Sequence, residues 1–176
     1  ERAAWKEDGG FDAVVGNPPW VNLFGMSDSD RQYFRKVYQS PYGKYDIYVV
    51  FVEAALALTN EMFGMITPNR FLRSKYGQAL RDVMLSQEAE WELTEFSSND
   101  IFQDATTYPC IIVGRLSASS FSVEESKVEA RSPSEDDLSR VEHTHVPPAD
   151  FHAGVVREGE IIQAMQPGSA FTSPPA

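Results

Sequence analysis

The chain has 176 residues, enough for one domain of ordinary size or for part of a larger domain with a tail. Its residues are 42% hydrophobic and 12% aromatic, a composition that favours a packed core over disorder. No apolar run is long enough to span a membrane, the first residues lack the order of a secretory signal, and the single Cys110 excludes an internal disulfide. We therefore expect a cytoplasmic protein that does not enter the membrane.

The net charge of −11 argues against this chain holding a nucleic acid by itself, because the neutralisation of phosphates requires Lys and Arg. The simplest interpretation of the acidity is a surface that keeps the protein in solution. The charge therefore excludes a strongly basic nucleic-acid-binding domain.

Residues 1–116 show strand and helix patterns in alternation. The predicted strands are Phe11–Gly16, Met62–Thr67, Trp91–Phe96 and Tyr108–Leu116, of which the first two are expected to be buried and the third half-exposed. The predicted helices are Asp28–Tyr38, capped by Asp28 or Ser27, then Tyr45–Asn60 and Tyr76–Gln87. This alternation implies an α/β fold in which helices cover a mostly parallel sheet.

Residues 117–176 have a different composition. They are rich in Ser, Pro and acidic residues, and we predict a linker and the possible start of a further region, with one short strand at Val141–Val146. The sequence also has no Gly-rich turn after a first strand, and we expect that the chain begins in the middle of a domain.

The motif Asn17-Pro18-Pro19-Trp20 directly follows the first predicted strand, and Thr67-Pro68-Asn69 ends the second. Ligands of parallel sheets bind beyond the carboxyl ends of the strands, so both segments are expected at the functional edge. An exocyclic amine on a heteroaromatic ring is a poor nucleophile, and two acceptors aimed at its hydrogens can draw it towards tetrahedral geometry. The Asn17 side-chain oxygen and the Pro18 carbonyl can serve as these acceptors.

The two prolines, Pro18 and Pro19, fix φ and donate no hydrogen bond, so this turn is stiff. Trp20 offers a flat face on which a base taken out of a double helix can stack. The alternative interpretation is a Pro-Pro turn after a strand, in which Asn17 caps the turn and Trp20 fills the core.

The segment FDAVVGNPPW resembles the fourth motif, (D/N/S)PP(Y/F/W), of amino-methyltransferases that use S-adenosylmethionine, a motif that adenine, glutamine and guanine methyltransferases share. The segments that follow are GKYDIYVVFVEAALAL, GMITPNRFLRSKYGQALRD and IFQDATTYPCIIVG. Together they resemble the gamma-class adenine-N6 DNA methyltransferases, in particular type IIG restriction–modification enzymes and related phage-defence methylases, over residues 10–116.

This resemblance implies the C-terminal half of a Rossmann-like methyltransferase domain, with the target-recognition region starting within 117–176. It implies that Asn17 and Pro18 hold the target amine, that Trp20 stacks on a flipped adenine, and that Phe102 contacts the base from the other side. Asp46 and Tyr48 would lie near the adenine pocket of S-adenosylmethionine. Double-stranded DNA, bound through the full-length protein, and restriction or defence subunits are the implied partners. The family's cofactor signature would lie upstream of Glu1, so this chain alone is not expected to be active.

A basic cluster follows the predicted functional edge. Its members are Arg70, Arg73, Lys75 and Arg81. They are candidates for contacts with DNA phosphates, and the alternative is that they form the solvated start of a helix.

For several other residues we favour a structural role over a functional one. No Cys or carboxylate lies at metal-ligand spacing from His143, His145 and His152, so no metal site is expected. Cys110 is predicted to be a small core residue, and Asp104 is predicted to form a turn.

Three functions therefore remain open. The leading hypothesis is a site-specific DNA adenine-N6 methyltransferase of a restriction–modification or phage-defence system. The second keeps the chemistry but takes RNA or a protein glutamine as substrate. The third is a non-catalytic DNA-binding specificity module on the same fold.

Overall fold

The computed structural model describes residues 9–96, 108–116, 122–128 and 144–153. Its strands are β1 (Phe11–Gly16), β2 (Thr59–Pro68), β3 (Glu90–Phe96), β4 (Pro109–Arg115), β5 (Ser122–Val128) and β6 (Thr144–His145). They form one sheet in the order β1-β2-β4-β3-β5-β6. The helices are α1 (Asp28–Val37), α2 (Tyr48–Leu58), α3 (Gly77–Leu85) and α4 (Pro148–Ala153), with 3₁₀ turns at Leu23–Gly25 and Asn69–Leu72. No helix in these ranges is long and apolar enough to cross a bilayer.

The sheet is mixed, whereas the sequence suggested mostly parallel pairing. β1 pairs with β2 and β3 pairs with β5 in parallel, but β4 lies antiparallel between β2 and β3, and β6 is antiparallel to β5. The sequence pattern could not reveal this, because side chains alternate across a strand in the same way in either direction. The α/β class is confirmed, but the expectation of a mostly parallel sheet is corrected, because β4 is antiparallel to both of its neighbours.

The boundaries of the elements agree with the predictions to within a few residues. Ser27 caps α1, since its side chain accepts a hydrogen bond from the Asp30 amide at 3.1 Å. The second helix is shorter than expected and ends at Leu58 instead of Asn60, because β2 begins at once. The Thr59 hydroxyl closes this junction by donating to the Ala55 carbonyl at 2.8 Å.

The core lies against β2, β3 and β4 and is built mainly from α2 and α3. Phe63 of β2 and Trp91 of β3 lie on either side of Gly114 in β4, and their rings meet edge to face with centroids 6.0 Å apart. Cys110 is buried in this core, as its apolar surroundings predicted.

Parts of the region 117–176 join the same core. Val123 of β5, Val146 and Phe151 of α4 are all buried in it. The short strand expected at Val141–Val146 is present as Thr144–His145. The division at residue 116 into a catalytic half and a linker with a recognition region stays a prediction, but the described parts of the second region extend the sheet.

The first strand differs from its prediction. β1 was expected to be buried, yet Phe11 is 62% and Val15 is 80% exposed. β1 is the outermost strand of the described sheet and pairs with β2 alone. An apolar run indicates a buried strand only when both faces and both edges of the strand are covered, and within the described residues the outer edge of β1 has no strand neighbour.

Candidate active site

The ends of β1 and β2 and the start of β4 meet at one edge of the sheet. β1 and β2 are parallel, with Gly16 opposite Met65, so both strands end on the same side. β4 runs the other way, and Pro109 at its start lies opposite Pro68 at the end of β2. The Asn69 amide donates to the Tyr108 carbonyl at 2.9 Å and ties the two segments together. We call this edge the rim.

The Asn17-Pro18-Pro19-Trp20 turn lies on the rim. Asn17 and Pro19 are exposed, Pro18 is buried, and Trp20 is partly buried. Within the described part of the chain, no hydrogen bond involves the Asn17 side chain. Asn22 instead caps the following 3₁₀ turn, accepting from the Phe24 amide at 3.0 Å. The interpretation of Asn17 as a cap therefore finds no support in this geometry, and its amide faces solvent.

Asp46 lies next to this turn. The backbone of Asn22 forms an antiparallel bridge with Asp46, and the Ile47 amide donates to the Val21 carbonyl at 2.8 Å. The Asp46 carboxylate is partly exposed at this position. The resemblance implies that Asp46 lies near the cofactor, and the structure brings the backbone at Asp46 against Val21 and Asn22, which directly follow the Asn17-Trp20 turn.

Tyr48 is completely buried, so its side chain lies beneath the rim and not on it. Its hydroxyl lies 3.0 Å from the Tyr76 hydroxyl, and the Tyr76 hydroxyl donates to Asp46 Oδ2 at 2.9 Å. Sequence analysis missed Tyr76 as a site residue, although it belongs to the SKYG segment that the resemblance singled out. Burial raises the pKa of both tyrosines, so both phenols stay protonated.

A second polar cluster joins the ends of β2 and β3. Glu95 is only 5% exposed and accepts a hydrogen bond from the Asn69 side chain at 2.7 Å. Arg73 donates to both Glu95 oxygens, at 2.7 and 2.6 Å. This bidentate pair is the stronger kind of charge-assisted contact. The Arg73 side chain is 39% exposed, and its contact with DNA stays a prediction. In the structure its guanidinium is paired with the Glu95 carboxylate.

The remaining members of the basic cluster separate into two groups. Arg70 and Lys75 are exposed. Arg81 is 2% exposed and donates to the carbonyls of Phe71, Ser74 and His152. Burial lowers the pKa of Arg81 to about 10, which still leaves it charged at neutral pH. The phosphate-binding interpretation is therefore wrong for Arg81, which joins α3 to α4 and to the 3₁₀ turn.

His152 packs on α3. Its Nδ1 lies 2.5 Å from Asp82 Oδ1, and its Nε2 lies 3.1 Å from the Gln78 amide nitrogen. In the parts of the chain that are described, no group of three His, Cys, Asp or Glu side chains could hold a metal ion. Phe102, Asp104 and His143 lie outside the described residues, so the roles predicted for them stay predictions.

The family model of the Eco57I restriction-modification methylases matches residues 1–102 of the chain. The chain belongs to this family. The Type II methyltransferase M.BstVI of Geobacillus stearothermophilus is 33% identical over 116 residues, which are 62% of this chain and 21% of that protein. The Type II restriction enzyme and methyltransferase RM.Eco57I of Escherichia coli is 29% identical over 107 residues, or 58% of this chain and 11% of that protein. The chain thus spans about a fifth or less of these members' length.

Solved structures show the same fold. In its complex with DNA, DrdV matches with a TM-score of 0.63 at 14% identity, over 88% of this chain and 19% of that chain. The methyltransferase subunit of a type I restriction-modification system from Streptococcus thermophilus matches with a TM-score of 0.56 at 16% identity, over 76% of this chain and 31% of that one. Together with the mixed sheet and its helices, this likeness shows a Rossmann-like methyltransferase fold.

Proposed function

We propose that the chain is the catalytic half of a cytoplasmic, site-specific DNA adenine-N6 methyltransferase in a restriction–modification or phage-defence system. The observation that carries the proposal is the Asn17-Pro18-Pro19-Trp20 turn, which presents an exposed amide at the rim of a methyltransferase fold. The solved DNA complex of DrdV and the family match support double-stranded DNA as the substrate. The division of the chain at residue 116 belongs to the same proposal.

Methyl transfer requires that the amine nitrogen of the adenine keep its lone pair available. In the proposal, the Asn17 side-chain oxygen and the Pro18 carbonyl accept the two amine hydrogens and draw the nitrogen out of conjugation with the ring. Pro18 and Pro19 keep the turn stiff, so these acceptors need little rearrangement during the reaction. Trp20 stacks on the base once it has left the duplex, and Phe102 is proposed for its other face.

S-adenosylmethionine, when bound, supplies an electrophilic methyl group on a sulfonium. Asp46 suits such a ligand, since it is a partly exposed carboxylate beside the catalytic turn and Tyr76 occupies its Oδ2. The Oδ1 atom has no hydrogen-bonding partner within the described ranges and can accept from an amine or hydroxyl. Tyr48 supports this carboxylate from the core and does not contact the ligand.

Asn17→Ala in the full-length protein tests the proposal. We expect kcat to fall on the order of 100-fold, since the lost acceptor acts in the transition state, while DNA affinity is retained. Methylation is measured as N6-methyladenine in a duplex by mass spectrometry, with RNA and glutamine peptides as competing substrates. Asn60→Ala, at an exposed position of β2 away from the rim, is the matched control and should keep full activity.

Retention of more than about a tenth of the activity by Asn17→Ala would count against this assignment of the acceptor. Methylation of RNA or of a glutamine peptide in preference to duplex DNA would replace the substrate class. DNA binding without methyl transfer by the wild-type protein would favour the non-catalytic specificity module.

A further inference from the structure

The Asp46 carboxylate is held in place by one side chain. Within the described residues, its single hydrogen bond to a side chain is the one from Tyr76, at 2.9 Å. Its backbone is fixed separately, through the bridge to Asn22. The orientation of the carboxylate therefore depends on where the Tyr76 hydroxyl lies.

The hydrogen bonds of this group have one direction. An ionised carboxylate can only accept a hydrogen bond, so the Tyr76 hydroxyl is the donor and the Asp46 carboxylate the acceptor. The Tyr48 hydroxyl must then donate to the oxygen of Tyr76. Because burial raises the pKa of both phenols, neither proton is lost in the physiological range.

The two tyrosines are anchored in the core. Tyr48 is fully buried at the start of α2, and its ring packs edge to face on Phe71 with centroids 6.5 Å apart. Tyr76 is the residue that precedes α3, and the next residue, Gly77, lies directly against the Phe71 backbone. The core therefore fixes the donor as well as the hydroxyl that supports it.

We propose that Tyr76 is a positioning residue that orients the Asp46 carboxylate towards the methyl donor, with Tyr48 fixing the Tyr76 hydroxyl from the core. The proposal rests on the proposed function and deepens it. It assigns a role to the SKYG segment, which follows the rim and ends at Gly77, the first residue of α3. Tyr76 acts through Asp46 and makes no contact with the substrate itself.

The test is binding of S-adenosylmethionine to the full-length protein, measured by titration calorimetry without DNA. Tyr76→Phe keeps the ring and removes the hydroxyl, and we expect Kd to rise by about 10-fold, because hydrogen bonds to charged groups are the stronger ones. KM for the donor should rise in parallel, while kcat at saturation and KM for DNA stay within about 2-fold. Tyr48→Phe keeps the hydrogen bond from Tyr76 to Asp46 but removes the one between the hydroxyls of Tyr48 and Tyr76, so the Tyr76 hydroxyl is held less firmly. We expect a smaller rise in Kd, of about 3-fold.

Tyr33→Phe is the matched control, since Tyr33 lies exposed on α1 and its replacement should leave Kd unchanged. Asp46→Asn completes a double-mutant cycle with Tyr76→Phe. If Tyr76 acts through Asp46, the double variant loses no more affinity than the more affected single variant. Additive losses would overturn the proposal.

Unchanged donor affinity in Tyr76→Phe, together with a lower melting temperature, would make Tyr76 a packing residue and overturn the proposal. If Tyr76→Phe does not fold, the donor affinity of Tyr48→Phe is the test instead. An affinity equal to that of the wild type in Tyr48→Phe would likewise overturn the proposal. A wild-type protein that does not bind S-adenosylmethionine refutes the proposed function itself. That result is distinct from a variant that binds as well as the wild type.

Discussion

Gly77→Ala is expected to loosen the segment that carries Tyr76. Gly77 is the first residue of α3, and an added Cβ would overlap the Phe71 carbonyl and lie 2.5 Å from Phe71 Cα and 2.6 Å from its carbonyl carbon. Real Cβ contacts essentially never fall below 3.0 Å. The atoms in the way are backbone atoms of the Asn69–Leu72 turn, whose Phe71 and Leu72 are fully buried, so the turn itself must move.

Two effects of opposite sign compete at this position. Ala is favoured over Gly in a helix by roughly 0.8–1.0 kcal/mol, which would stabilise α3. Overpacking of a well-packed core costs roughly 1–3 kcal/mol, and a backbone overlap lies at the upper end of that range. We therefore expect a net loss of about 1–2 kcal/mol, or a rise in local opening on the order of 10-fold.

Hydrogen exchange of the full-length protein, followed by mass spectrometry, measures this local opening. Peptides that cover residues 69–85 should lose protection in Gly77→Ala, and donor affinity should fall as Tyr76 moves. Gly16→Ala is the control, because its Cβ would lie 3.6 Å from Met65 Cε, an ordinary contact. Protection equal to or above wild type in Gly77→Ala would mean that helix propensity dominates, and the reasoning would be refuted.

Substitutions at two other positions, Arg81 and Trp20, separate structural from functional residues, each with a matched control. Arg81→Met should destabilise the contact between α3 and α4 by roughly 1–3 kcal/mol for each carbonyl left without a donor, seen as faster hydrogen exchange there. Arg31→Met, on a surface ion pair, should be nearly neutral, and equal effects would contradict the buried role of Arg81. Trp20→Ala should lower the fluorescence rise of 2-aminopurine at the target base in the full-length protein, while Trp20→Phe should keep it, because a stack supplies roughly 1–3 kcal/mol. An unchanged signal in Trp20→Ala would remove Trp20 from the base pocket.

Local signals in the sequence identified most of the elements. The cap at Ser27 and the alternation along Trp91–Glu95 depend on residues within a few positions, and both are present in the structure, although Phe96 at the end of the predicted strand is buried as well. The end of α2 was misplaced, since Asn60 looked like a helix terminator while Thr59 already begins the next strand. A Thr that bonds back to the helix and also starts a strand leaves no loop for turn residues to mark.

Features that depend on distant parts of the chain were not visible. The direction of β4 and the exposure of β1 follow from strand neighbours, which one segment cannot specify. The basic cluster looked uniform in sequence, but Arg81 found buried carbonyls and Arg73 found Glu95. One signal was present: Glu95 lies two residues after Leu93 and four after Trp91, on the core-facing side of the strand. A carboxylate at that position requires a partner.

The exposed edge of β1 bears on whether copies of the isolated chain associate with one another in solution. Within the described residues the outer edge of β1 has no strand partner, and such an edge beside apolar side chains such as Val15 is a template for pairing with a second copy of the chain. The net charge of −11 opposes this, because every copy repels every other at neutral pH. That repulsion disappears near the isoelectric point of about 4.6 and is screened by salt. The same acidity that argues against DNA binding by this chain alone thus keeps its copies apart, and the chain is best dispersed in weakly alkaline, low-salt solution.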